Sequence, residues 1–306
     1  MNSEPGTRNS ELPFVLVNMA MTADGKIATA NRTVSSFGSA RDHRHLLELR
    51  ATADAVMAGA RTVDLNLINL GPGPAKFRRA RLRRGLAEYN LRVIVSGSGS
   101  INPRAEVFKH RFTTLDNPLP MNQPTPRPSQ EGSKATGARL QFPSWNGFGV
   151  GSGEQFVSMR DSWSLSPSDG ERDGVRGRAV ARSPIIVLTT QRASKSKLKK
   201  LRALADEVKI CGKMGINFRH ALRWLSKKWG VKRLVCEGGG ELNDALFRAG
   251  LVNELHLTVC PKIFGGRDAP TIADGFGAAG LSAASQFSLK SARCLGDEMF
   301  LVFQRG

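Results

Sequence analysis

A short apolar run, Leu234-Val235-Cys236, leads into Glu237 and three consecutive glycines, Gly238 to Gly240, followed by Glu241-Leu242-Asn243-Asp244-Ala245 at helical spacing. Glycines between a strand and a helix let the backbone come closer to a diphosphate than side chains would allow, and the helix start adds a partial positive charge. The alternative is a tight strand-to-helix turn that holds nothing. Two other turns have related chemistry. Gly59-Ala60-Arg61-Thr62 opens a helical stretch, and its Thr62 hydroxyl could bond a phosphate oxygen or cap the helix. Ser96-Gly97-Ser98-Gly99-Ser100 offers small hydroxyls suited to a ribose or its 2′-phosphate, or forms a plain flexible loop. Three such turns in one sheet predict a dinucleotide spread along the strand ends, because open parallel sheets bind ligands beyond their carboxyl ends. Arg41, Arg44 and Arg50 lie within 39–51, where one could grip a phosphate in a two-pronged pair or all could form a solvated basic face.

The elements that must position these turns alternate regularly. Strands are predicted over 14–17, 54–58 and 91–95, with a helix over 39–51. The rhythm resumes with a strand over 184–188, a basic helix over 194–203 and a strand over 208–210. Phe218, Leu222, Leu225 and Trp229 then mark one face of a helix. A strand over 234–236 precedes a helix lined by Leu242, Ala245, Leu246 and Ala249, which Gly250 could end, and a strand covers 255–259. Strands separated by helices predict an α/β fold with a mostly parallel sheet and helices on its faces. The last thirty residues carry no helical pattern and read as a closing antiparallel pair, 286–294 with 298–303.

With 306 residues, 40% hydrophobic and 23% charged, the chain is neither wholly disordered nor a coiled coil, and no apolar run approaches the ~18 residues that span a bilayer. The polar first twelve residues read as a disordered tail without a secretory signal, so a cytoplasmic location is expected. Residues 113–182 hold seven of the 15 prolines and nine of the 32 glycines and read as a long loop or disordered insert interrupting one domain over 13–306; their aromatics, such as Trp145 and Phe156, could instead dock on the domain. Four scattered cysteines and five scattered histidines lack metal-ligand spacing and predict no metal site and reduced, mostly buried thiols. The formal net charge of +19 attracts anions of any kind. Basic runs at 76–84, 191–202 and 219–233 make nucleic-acid binding the leading non-enzyme alternative, although no zinc-finger or RRM pattern supports it.

Taken in order, Asn18 to Ala28, Leu49-Arg50-Ala51, Ala53 to Val63, Glu237 to Leu242, Gly250 to Leu255 and Pro261 to Gly266 resemble the pyrimidine reductases of riboflavin biosynthesis over 13–112 and 184–304. The absence of a preceding deaminase segment matches the stand-alone reductases and the C-terminal half of the bifunctional deaminase-reductases. The resemblance implies a dihydrofolate-reductase-like fold, NADPH as cofactor and a homodimer. It also implies reduction of the ribosylamino side chain of a phosphorylated aminopyrimidine to the ribitylamino form. Ala20, Thr62, Gly97 and the stretch Gly239, Gly240, Glu241, Leu242, Asn243, Asp244 and Ala245 would contact NADPH, with the Asp24-Gly25-Lys26 turn a candidate loop over the nicotinamide. Arg50, with Leu70, would bind the substrate, Arg50 through its phosphate, and Glu237 would hydrogen-bond the pyrimidine or sugar. Where the family carries Asp-Asp-Pro this chain reads Asn66-Leu67-Ile68, so Asn66 and Glu237 are the expected catalytic positions, and asparagine cannot donate a proton as a carboxylic acid does. A reductase of the same scaffold acting on a different phosphorylated or pterin-like substrate is the alternative.

Overall fold

The structure, a computed structural model, describes residues 11–32, 37–65, 68–109 and 183–306. The predicted insert at 113–182, most of the predicted N-terminal tail and Asn66 lie outside the described residues. Glu11 and Leu12, assigned to that tail, are engaged: Glu11 pairs with Arg223 and Lys227, and Leu12 packs on the core.

In chain order the elements are β1 (Phe14–Thr22), α1 (Ala40–Arg50), β2 (Ala55–Gly59), α2 (Ala60–Leu65), α3 (Ala75–Arg83), β3 (Leu91–Val95), α4 (Glu106–Lys109), β4 (Ile185–Thr189) and α5 (Lys195–Leu204). There follow β5 (Glu207–Ile210), α6 (Phe218–Trp229), β6 (Arg233–Cys236), α7 (Gly240–Arg248), β7 (Glu254–Cys260), a 3-10 turn over Leu281–Ala283, β8 (Ser288–Leu295) and β9 (Glu298–Gln304). The sheet order is β5-β4-β3-β2-β6-β1-β7-β9-β8, with β1 to β7 parallel to one another and β8 and β9 antiparallel. This is the mixed, mostly parallel α/β fold with a C-terminal antiparallel pair that the sequence predicts.

Burial follows the pleat. Val15 and Val17 of β1, Met57 of β2 and Val93 of β3 pack against Leu222 and Leu225 of α6 and Leu246 of α7. The alternate residues face the other way, where Val56, Ala58, Ile94 and Val187 meet Val63 of α2 and Leu201 of α5, while Leu16 and Val235 meet Leu49 of α1. Helices therefore cover both faces, as a parallel sheet requires. Side chains fix the helix ends. Ser39 caps α1, Asn217 caps α6 through His220 N, and Gly230 at φ 66° ends α6 in the left-handed region.

Helix α3 is absent from the periodicity reading for a physical reason. Its inward positions are Phe77 and Arg81, so the residue one turn beyond the apolar anchor is an arginine. Arg81 is 1% exposed, and its guanidinium donates to the carbonyls of Arg50, Ala53 and Ala87. Arg92 in β3 is likewise buried, bonded to the carbonyls of Ser183 and Val107. Burial lowers both guanidinium pKa values to about 10. The basic run at 76–84 is therefore partly core and not wholly surface. Cys211, Cys236 and Cys260 are buried free thiols, raised by burial to about 11, 12 and 12, and Cys294 is exposed.

Candidate active site

The three turns picked out from the sequence follow three strands that are neighbours in the sheet: Glu237 to Gly240 after β6, Gly59 to Thr62 after β2, and Ser96 to Ser100 after β3. All three open onto one cavity of about 1160 Å³ that also takes in Met19 and Ala20 at the end of β1. At roughly 4.8 Å per strand, the rim from β3 to β1 spans about 14 Å.

Backbone bonds lock the turns together. Gly59 N donates to Gly238 O at 2.9 Å, and Glu237 N donates to Met57 O at 2.8 Å. Gly239, at φ 55° and ψ 143°, precedes α7 without placing a capping side chain over its first turn, and a Cβ there would lie 3.1 Å from Thr62 Oγ1. That leaves room for backbone contact between the two turns at a helix start, an arrangement suited to an anion. The third turn is held by Ser96 Oγ donating to Ser100 O, Thr190 Oγ1 donating to Gly97 O, and Lys197 Nζ donating to Ser100 Oγ at 2.7 Å. The cations Arg32, Arg61, Arg192 and Arg248 also line the cavity.

Of the residues expected at the site, Ala20, Thr62, Gly97, Glu237, Gly239, Gly240, Glu241, Leu242, Asp244 and Ala245 line this cavity. Others are placed differently. The Asn243 side chain is fully buried, turned inward to donate to Ile272 O. Asp244, although at the cavity wall, has its carboxylate engaged by Phe276 N, Gly277 N and Arg248 Nε. Leu70 is a fully buried core residue at φ 57°, and its carbonyl accepts from Asn90 Nδ2. Arg50 does not line the cavity. It is buried, with Nε and Nη2 on the two carboxylate oxygens of Glu237 at 2.5 and 2.6 Å and Nη1 on Gly71 O at 2.7 Å. The Arg50 guanidinium, expected at a substrate phosphate, here has its Nε–Nη2 edge on Glu237.

One segment escaped the sequence reading. Residues 270–276 run beside α7 and complete the cavity wall with Pro270, Asp274 and Phe276. Gly240 admits this segment, since a Cβ there would sit 2.7 Å from Thr271 O. Asp274 accepts from Thr271 N and Oγ1, closing a tight turn that its Asp-Gly pair could have signalled. The loop after β1 bonds to this segment through Ile27 N on Pro270 O, and Asp24 pins it by accepting from Thr22 Oγ1, Phe264 N and Gly265 N. These bonds, the Thr22 hydroxyl foremost, lower its pKa. The same loop places Ile27 and Ala28 on the cavity wall.

A mostly parallel sheet closed by an antiparallel pair, with small-residue turns converging on one cleft, defines an α/β fold of dihydrofolate-reductase type. Its relatives narrow the class. The RibD C-terminal domain family matches residues 13–118 and 170–301, so the chain belongs to that family. It is 25% identical over 291 residues to a 2,5-diamino-6-ribosylamino-4(3H)-pyrimidinone 5′-phosphate reductase of Methanothermobacter thermautotrophicus, covering 95% of this chain and 97% of that one. A pyrimidine reductase-like protein from Corynebacterium diphtheriae shares the fold with a TM-score of 0.59 at 17% identity, covering 95% of this chain and 91% of that one. RibD of Acinetobacter baumannii does so with a TM-score of 0.57 at 14% identity, and there the match covers 97% of this chain but 59% of the longer protein. Among the described residues, no helix is long and apolar enough to cross a membrane, and no cluster of His, Cys, Asp and Glu could hold a metal ion.

Proposed function

We propose that the chain is an NADPH-dependent reductase of riboflavin biosynthesis that converts the ribosylamino side chain of a 5′-phosphorylated aminopyrimidine to the ribitylamino form. The observation that carries this reading is the convergence of three small-residue turns, from neighbouring strands, on a single cavity whose wall includes Glu237. In this assignment the turns at Gly239 and Thr62 hold the diphosphate, and the serine-rich turn around Gly97 holds the adenosine end. The crevice beside Ala20, under the loop carrying Ile27 and Ala28, receives the nicotinamide. When bound, NADPH supplies the hydride that reduces C1′. The chain itself contributes orientation and charge complementarity. Glu237 presents hydrogen-bond acceptors to the pyrimidine or sugar, and the cavity-lining arginines offset the charge of phosphate groups.

The proposal extends to a cytoplasmic homodimer. Support for the dimer is the apolar surface of the outer strand pair, where Leu289, Leu295 and Met299 are 58%, 41% and 44% exposed.

The decisive assay follows NADPH oxidation with 2,5-diamino-6-ribosylamino-4(3H)-pyrimidinone 5′-phosphate and, separately, with dihydrofolate. Turnover with the pyrimidinone phosphate supports the assignment. Turnover with dihydrofolate alone replaces it with a pterin reductase.

A further inference from the structure

We propose that exposed lysines at the start of α5 and in the turn after β5 form an electrostatic funnel, which draws the anionic cofactor to the cavity mouth without holding it once bound. This rests on the reductase reading above. The cavity wall does not itself supply a net attractive charge. Its four arginines, Arg32, Arg61, Arg192 and Arg248, are set against five carboxylates, those of Asp64, Glu237, Glu241, Asp244 and Asp274. Glu237 is paired from behind by Arg50, Glu241 by Arg61 and Asp244 by Arg248. A polyanion approaching the wall therefore meets formal charges that nearly cancel, and attraction at a distance must come from cations outside it.

Uncompensated cations stand on one side of the mouth. Helix α5 begins just past the carboxyl end of β4, and Lys197 in its first turn donates to Ser100 Oγ in the cavity-lining turn after β3. Lys195, Lys199 and Lys200 are exposed around it, and Lys213 is exposed shortly before Gly215, another lining residue. None of these lysines pairs with a carboxylate among the described residues, whereas Lys227 and Lys228 on α6 are paired with Glu11 and Glu207. At 1.5 Å per residue, Lys199 and Lys200 stand ~3–4.5 Å along the helix from Lys197, inside the ~8 Å over which charge is felt at physiological salt. Their setting is locally unfavourable. Lys195 and Lys197 occupy the first turn of α5, which holds no acidic residue, so they oppose the positive end of the helix dipole. Cations that break a local rule beside a cavity find their reason in the charge of its ligand and not in the helix.

The test measures NADPH association and dissociation rates by stopped-flow nicotinamide fluorescence for wild type, K199E/K200E and R83E/R84E. The last variant makes the same change in net charge at exposed arginines ending α3, where the chain leads back to the amino ends of the strands. At ~50 mM salt K199E/K200E is expected to lower the association rate about fivefold or more and to leave dissociation within about twofold of wild type. R83E/R84E should change neither rate by more than about twofold. At ~1 M salt, where the screening length is ~3 Å, all three proteins should associate at one rate. An association rate in K199E/K200E within about twofold of wild type at low salt overturns the proposal. An equal loss in R83E/R84E does so too, because net charge alone would then account for the effect. Faster dissociation with unchanged association also overturns it, since the lysines would then be contacts in the bound state. If K199E/K200E fails to fold by circular dichroism, K199Q/K200Q decides, with about half the loss in logarithmic rate expected. Wild type that binds no NADPH at millimolar concentration removes the cofactor reading and the funnel with it, whereas each of the other outcomes bears on the funnel alone.

Discussion

Replacing Gly239 by alanine perturbs the junction on which the cofactor assignment depends. At φ 55° and ψ 143° the residue occupies backbone space that is almost confined to glycine, so alanine should cost about 1–3 kcal/mol of stability. The added Cβ would also stand 3.1 Å from Thr62 Oγ1, between the two turns assigned to the diphosphate. Losing one charge-assisted bond from the backbone to a phosphate is worth about 1.5–3 kcal/mol, which corresponds to roughly 10- to 150-fold weaker NADPH binding. Gly85→Ala is the matched control. It too has positive φ, 71°, but a Cβ there meets nothing within 4 Å, and Gly85 does not line the cavity. It should lose about 1–2 kcal/mol of stability and keep wild-type affinity. Urea unfolding gives the stability of each variant, and calorimetric titration with NADPH gives its Kd. Wild-type affinity in G239A, within about twofold, would refute the reasoning that this turn cradles the cofactor.

Three further outcomes are expected. NADPH at about a hundredfold its Kd should raise Tm by roughly 5–10 °C, and a thermal scan showing no rise counts against a cofactor site. Arg81→Leu strands the buried carbonyls of Arg50 and Ala53 and should destabilise the fold by at least about 2 kcal/mol in denaturant unfolding, whereas a surface arginine would leave stability unchanged. Stability should also fall on acidification. His45 Nε2 meets His256 Nδ1 at 3.2 Å and His256 Nε2 meets Glu254 at 3.3 Å, and burial above all lowers both histidine pKa values below the ordinary 6.5. The unfolded chain therefore binds more protons between the folded value and 6.5, and stability present above 6.5 is lost as pH drops through that window. Buried Asp42, raised by burial, contributes in the opposite sense at lower pH, so replacing both histidines with phenylalanine should flatten the upper part of the profile.

Much of the scaffold is legible in the sequence because it follows simple periods. Helix α6 declares itself through Phe218, Leu222, Leu225 and Trp229, and the strands appear as short apolar runs between turn residues. The turns of the site are legible for the same reason, since Gly238 to Gly240 and Gly59 to Thr62 fall where a strand hands over to a helix. What stays hidden is the direction of polar side chains. Arg81 and Arg92 look like surface charge in the sequence, yet each satisfies backbone carbonyls in the interior. Arg50 and Glu237 are 187 residues apart, so their pairing emerges only when β6 inserts between β1 and β2. Asn243 illustrates the limit of reading a loop as a block: within one helical turn of cavity-lining residues, it points into the core.

In the proposed reaction this cleft brings a reduced nicotinamide to the sugar carbon of a phosphorylated aminopyrimidine. Its most direct test uses NADPH deuterated at the transferable ring position and locates the label in the product by NMR. Deuterium is expected on C1′ of a ribitylamino chain, with one NADPH consumed for each product formed. Deuterium elsewhere in the product, or product formed without label, would contradict it.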